Sequence, residues 1–295
     1  MRIFSGVPAS AAGQLRRIVM LALCHLFLVT LLHSPAGAAT ALDRIKQKGT
    51  LTVAVFFEDV PPFFYKDASG ALAGIDPSLA EDIARKLGVT VTYNRNAETF
   101  DGVIDEVVSG RADIAISLLS DTLERAMRAN FTTSYVSVRQ FLLLNRLELG
   151  KLVISSANQN AKIPELLNNA NSRIGVIGGT SYVGFLQEDF PKAQKVEFGG
   201  WSDMLAAVKS GEIVALMYDE IEIGNWRLAD PAGSVELRPF HLSGHPDTIA
   251  IAVGPEDPEL RDWINLYLAK IRDNGSLDAI LKKYLYTTDR LLTND

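Results

Sequence analysis

The sequence predicts an α/β fold built as two lobes of like topology with a cleft between them. Three observations predict it. From Leu42 onward, apolar runs of strand length alternate with amphipathic stretches of helix length, the pattern of an α/β chain. Second, Phe100 to Ser117 (FDGVIDEVVSGRADIAIS) and Trp201 to Tyr218 (WSDMLAAVKSGEIVALMY) repeat one helix-strand unit. Third, each copy stops its helix at Ser-Gly, Ser109-Gly110 and Ser210-Gly211, where glycine supplies a left-handed cap. Each copy then enters a buried run, Asp113 to Ser117 and Ile213 to Tyr218. Ser120 and Asp219 lie just past these runs and are expected to face the cleft, because open α/β sheets bind ligands at the carboxyl ends of their strands.

The elements follow in order. Thr50 to Phe56 reads as a strand, followed by a loop rich in proline and aromatics through Glu58, Asp59, Pro61, Pro62 and Phe63. After a turn at Asp67 to Gly70, Asp76-Pro77 opens a helix, with the aspartate expected as its cap. Leu79, Ile83 and Leu87 share one face of it, and Gly88 ends it before a strand at Val89 to Tyr93. Asp121 and Glu124 stand at capping-box spacing. The strand Ile174 to Ile177 meets Gly178-Gly179-Thr180-Ser181 at a helix start. This glycine turn lacks a P-loop lysine and dinucleotide spacing, so a carboxylate-sized anion or nothing is expected there. Arg173, at the entry of that strand, reads as a solvated charge. Two helices close the chain, one opened by Asp257-Pro258, the two separated by Asp273 to Ser276. The chain is expected to cross between lobes near Ser137 to Leu144 and again near Asp247 to Val253. The implied segments are 39–138 and 247–295 for the first lobe and 139–246 for the second.

Residues 1–38 read as a secretory signal: basic Arg2, Arg16 and Arg17, an apolar run from Ile18 to Leu32, then Ala36-Gly37-Ala38. The run is shorter than the ~20 residues of a membrane-spanning helix. Arg16-Arg17 is a weak twin-arginine match, and Cys24 a weak lipid-anchor one because Leu23 precedes it. Cleavage after Ala38 leaves 257 of the 295 residues and no cysteine, so neither a disulfide nor a thiolate metal site is expected. Losing the three arginines takes the formal charge from −6 to −9, which argues against nucleic acid or anionic membrane as partner. His241 and His245 remain, in a loop marked by Ser243-Gly244 and Pro246, and read as solvated rather than as metal ligands. No cofactor is expected.

These residues resemble the extracytoplasmic amino-acid-binding proteins of ABC transporters, bacterial solute-binding protein family 3. The resemblance spans about Leu42 to Leu285 and rests on phrases in order: Pro61-Pro62-Phe63, Gly74-Ile75-Asp76, Phe100-Asp101-Gly102, Ser109 to Asp113, Thr122 to Arg125, Gly179-Thr180-Ser181, Tyr218-Asp219-Glu220 and Asn274 through Tyr284. It implies a type II periplasmic-binding-protein clamshell, each lobe a mixed sheet flanked by helices, with two crossover strands as hinge. Carried over residue by residue, it implies that Arg125 grips a ligand α-carboxylate, for which a guanidinium fork is suited. Asp219 receives the α-ammonium, though a helix cap competes with that role, as a surface ion pair does for Arg125. Ser120, Ser181 and Thr180 contact the ligand's common atoms, and Phe100 packs on its side chain. Phe57 and Val60 stand where many members carry an aspartate and an aromatic, and Leu118 where serine is common. The side-chain pocket is therefore expected to be apolar and to favour uncharged amino acids, unless Glu58 or Asp59 turns inward.

The implied function is that of a monomeric periplasmic receptor, not an enzyme, which delivers an amino acid to an ABC permease. The competing readings are a cyclohexadienyl dehydratase-like enzyme on the same fold, with Asp219, Glu220 or Glu222 as general acid, and the sensor lobe of an envelope signalling protein.

Overall fold

The computed structural model describes residues 39–285, apart from positions 157, 159 and 245. The signal segment, Cys24 and His245 therefore lie outside the described residues. The chain enters through α1 (Ala41–Lys48) and β1 (Thr50–Phe56), then a short hairpin of β2 (Tyr65–Lys66) and β3 (Leu72–Ala73). There follow α2 (Ile75–Leu87), β4 (Thr90–Ala97), α3 (Phe100–Val108), β5 (Ile114–Ala115), α4 (Leu123–Ala126) and β6 (Asn130–Phe131). β7 (Val136–Val138) leads directly into β8 (Gln140–Asn145). Next come α5 (Arg146–Ser155), α6 (Ile163–Leu167), β9 (Arg173–Ile177), α7 (Tyr182–Asp189), β10 (Gln194–Phe198), α8 (Trp201–Ser210), β11 (Ala215–Asp219), α9 (Glu220–Ala229) and β12 (Leu237–His241). The return runs through β13 (Asp247–Ile249) and β14 (Ala252–Val253) to α10 (Pro258–Asp273) and α11 (Ser276–Leu285).

Two five-stranded sheets result, ordered β4-β1-β5-β14-β6 and β10-β9-β11-β8-β12. Both follow one plan. In each, one strand, β1 or β9, lies at position two between parallel neighbours. Antiparallel to these runs a strand supplied by the crossover, β14 in one lobe and β8 in the other. The repeated units of the sequence are α3–β5 and α8–β11, which occupy equivalent places.

Apolar patterning explains the layers. Leu51, Val53 and Val55 of β1 are fully buried, as a strand flanked on both sides demands. Leu79 and Ile83 of α2 and Val103 and Ile104 of α3 pack on that sheet. A separate core holds Leu142, Leu144, Ile174, Val176, Met204, Val208 and Met217. Between the cores runs a two-stranded antiparallel ribbon of β7 and β13, pairing Val138 with Asp247 and Val136 with Ile249. Separately cored lobes on a thin ribbon are built for rigid-body hinge motion.

Two expected caps fall elsewhere. Gly74, not Asp76, is the N-cap of α2. Asp76 lies in the first turn, fully buried, and accepts from the Leu118 N–H (2.8 Å) and the Tyr135 hydroxyl (2.6 Å). Burial pushes its carboxyl up to about 7. At α4 the cap is Thr122, whose hydroxyl accepts from the Arg125 N–H. Asp121 instead accepts from the Thr248 hydroxyl on the hinge. In both places a long-range partner outcompetes the local cap.

Candidate functional site

The ends of β5 and β11 face each other, and loops from both lobes close over them. Leu118, just past β5, adopts a left-handed backbone (φ 48°), a strained choice for leucine. The Asp76 carboxylate holds its N–H in that conformation, so the buried acid of α2 positions the loop that carries Leu118 and Ser120. Arg125, only 5 % exposed, projects from α4. Its Nε and Nη2 donate to Asp101 Oδ1 at 3.0 and 2.9 Å, and Nη1 to the Ser120 carbonyl at 3.2 Å. Asp101 thus orients the guanidinium from the solvent side.

From the other lobe comes Asp219, the last residue of β11 and the N-cap of α9. Its Oδ1 accepts from the Ile221 and Glu222 N–H groups, both at 2.8 Å, and Oδ2 takes no part in the cap. Burial pushes this carboxyl up to about 6. The cap and the cleft-facing role are therefore compatible, one oxygen serving each.

Phe100, Leu118, Ser120, Arg125, Thr180, Ser181 and Asp219 line one small cavity between the lobes. Phe100 stacks on Phe56 with ring centroids 4.6 Å apart. Ser120 and Ser181 meet hydroxyl to hydroxyl at 2.8 Å across the cleft, while the Thr180 hydroxyl turns back to the Ile177 carbonyl. Phe57 and Val60 do not line this cavity. Phe57 is 45 % exposed and stands edge-on to Phe56; Val60 pairs its backbone with Phe64 and packs into the first core. Glu58 and Asp59 are exposed as well, and Asp59 binds Arg95 and the Lys66 N–H.

Four further residues complete the lining: Val138, Tyr182, Tyr218 and Asp247. Asp247 opens the hinge strand β13, accepts from Ser120 Oγ at 3.0 Å, and is pushed up to about 7 by burial. Tyr182 is 4 % exposed, and its hydroxyl is, among the described residues, the one buried side-chain polar atom with no hydrogen-bond partner. Such a group carries an unmet desolvation cost. Their sequence signals were slight: an acid at the start of an apolar strand, and an aromatic in a helix first turn.

The lobes are shut on one another. Besides the serine pair, the Asp101 N–H donates to the Gly179 carbonyl (3.1 Å), and Asn225 Nδ2 donates to the Pro61 carbonyl (3.0 Å). The cavity measures about 20 Å3, room for about one water, so admitting a larger molecule requires the lobes to part. Neither Glu220 nor Glu222 lines it, and Glu220 is bound to Arg139, which leaves the dehydratase reading only Asp219 of its three acids. Among the described residues no cluster of His, Cys, Asp or Glu is arranged for a metal, and no helix is long and apolar enough to cross a membrane.

The chain is similar to ABC transporter arginine-binding protein 1 of Escherichia coli (strain K12), 25% identical over 256 residues, covering 86% of this chain and 96% of that protein. Among solved structures, it resembles an ancestral amino-acid-binding protein described as a precursor of cyclohexadienyl dehydratase: TM-score 0.66, 26% identity, 83% of this chain and 99% of that one. It also resembles a solute receptor for L-cysteine of Neisseria gonorrhoeae: TM-score 0.68, 25% identity, 84% and 94% covered. A sequence profile of the bacterial extracellular solute-binding proteins, family 3, matches residues 51–287, and with the paired lobes and their shared cleft it places this chain in that family.

Proposed function

We propose that the protein captures one free α-amino acid between its lobes and delivers it to the permease of an ABC transporter. One observation carries this reading: a buried arginine from one lobe and a buried aspartate from the other line the same cavity. A guanidinium and a carboxylate held apart in this way match the carboxylate and ammonium of an α-amino acid. Sugars and nitrogen-free dicarboxylates lack that pairing. The Tyr182 hydroxyl and the serine pair supply further partners for the bound molecule. The arginine and cysteine receptors among its relatives support the same class of ligand. Residues 1–38 act as a signal removed on export, which places the mature protein in the periplasm. There, we assign 39–138 and 247–295 to one lobe and 139–246 to the other, with 286–295 lying outside the described residues.

For the side chain, we favour uncharged amino acids. Phe100, Leu118, Val138 and Tyr218 offer apolar surface, worth ~25 cal/mol per Å2 buried. Neither Glu58 nor Asp59, the acids nearest in sequence to the predicted pocket loop, lines the cavity. Calorimetric titration of the mature protein with each of the twenty amino acids, starting from leucine, phenylalanine, glutamine, arginine and glutamate, tests both levels. Saturable one-to-one binding of any of them supports the amino-acid reading, with the uncharged ones expected tightest. Tightest binding of arginine would overturn the side-chain assignment alone; no binding by any of the twenty amino acids would overturn the whole.

A further inference from the structure

A second concavity lies on the outer side of the second lobe, along its edge strand β12. It is a groove of about 790 Å3, within the ~300–1,000 Å3 range of small-molecule sites. Arg139, Arg146, Arg227 and Arg238 line it together with His241, and none of its lining residues is acidic. That concentration is unlike the rest of a chain carrying 35 acidic and 29 basic residues. Arg139 is ion-paired, to Glu220. Among the described residues, Arg146 and Arg238 have no carboxylate within ion-pair distance; Arg146 Nε donates to the Val235 carbonyl, which anchors it while its two terminal nitrogens remain for other partners. The floor is aromatic: Arg139 lies over the Phe141 ring at 6.0 Å, and His241 lies against the same ring at 5.1 Å. Phe240 also lines the groove. Guanidinium groups set along a concave wall are the arrangement that binds phosphate or carboxylate oxygens in bidentate fashion.

We infer that this arginine-lined groove on the second lobe is a binding site for a soluble multivalent oxyanion, a phosphate or polycarboxylate compound, separate from the cleft. A membrane of anionic lipid is disfavoured by the net negative charge of the chain and by the recess of the groove. The inference does not rest on the identity of the cleft ligand.

The test is a nuclear magnetic resonance titration of the isotope-labelled mature protein with inorganic phosphate and with citrate, against sodium chloride at matched ionic strength. Saturable shifts confined to residues 139–146, 227 and 234–241 are expected, with citrate or phosphate but not with chloride. Arg146→Gln/Arg238→Gln should weaken the response roughly tenfold to a hundredfold and leave amino-acid affinity unchanged. Should the double variant melt early, Arg238→Gln alone, at an exposed position, serves instead. Shifts that fail to saturate, an equal response to chloride, or an undiminished response in the variants would overturn the inference. So would arginine-dependent pelleting with phosphatidylglycerol vesicles in the absence of any response to soluble phosphate or citrate.

Discussion

At the scale of single residues, Asp219 both caps α9 and lines the cavity, and substitution can separate the cap from the proposed hold on the ligand. Asp219→Asn keeps an oxygen to cap α9 but removes the charge facing the cavity. Its melting temperature should stay near wild type while amino-acid affinity falls by about 2–5 kcal/mol, thirtyfold to several thousandfold. Asp219→Ala should lose both. Arg125→Ala should cost a similar amount of binding, read by calorimetry; near-native affinity would remove the arginine from the site. The pH dependence has a definite sign. The Asp219 carboxyl rises from 3.8 to about 6 through burial, so the folded protein holds an extra proton between those values. Its share of the stability is present below about pH 4 and is lost as pH climbs through about 6. The proposed hold on the ammonium requires the ionised form, so affinity should run the other way, falling by up to about tenfold per unit below pH 6. Asp219→Asn should flatten both trends. Tyr182→Phe deletes a buried hydroxyl with no protein partner. The ligand-free variant should be as stable as wild type or more so, by up to about 1–3 kcal/mol, yet bind its amino acid severalfold less tightly. A loss of stability with unchanged affinity would place that hydroxyl outside the site.

Among the elements, the turn between β9 and α7 meets the opposite lobe directly. Gly179 has φ +72°, and a Cβ built there would sit 2.8 Å from the Thr99 Cβ across the cleft. Its carbonyl accepts the Asp101 N–H from the opposite lobe. Gly179→Ala therefore carries both a left-handed strain of about 1–2 kcal/mol and a clash that arises only on closing. Weaker amino-acid binding is expected, together with a ligand-saturated radius of gyration larger than that of wild type. Closure equal to wild type would show that the lobes meet elsewhere. The same lesson applies to Asp76 in α2, which looked like a cap for its own helix. Its contacts with Leu118 and Tyr135 are made 42 and 59 residues away, and they shape the first lobe's contribution to the cavity.

For the molecule as a whole, two cores joined by the β7–β13 ribbon and a cavity of about 20 Å3 require opening before capture. Binding should then favour the closed form, because residues of both lobes line the one cavity. Solution scattering with saturating amino acid should show a smaller radius of gyration than without it. An unchanged profile would mean that the ligand-free protein is already shut, in which case association should be slow and limited by opening.

Much of this was legible in the amino-acid order. Apolar periodicity and the duplicated helix-strand unit determined two α/β lobes, both crossovers and the places of Ser120 and Asp219, because period and burial are local consequences of which residues face a core. Resemblance to the family then singled out Arg125, Ser181 and Phe100, which the fold brings to one cavity. Only the tertiary structure decided which neighbours join them. It leaves Phe57 and Val60 outside the cavity, brings in Tyr182 and Asp247, and gathers arginines scattered from position 139 to 238 into one groove. Those outcomes depend on strand register, on the closing angle of the lobes and on competition between local and distant hydrogen-bond partners. None of these is written in the spacing of residues along a single chain.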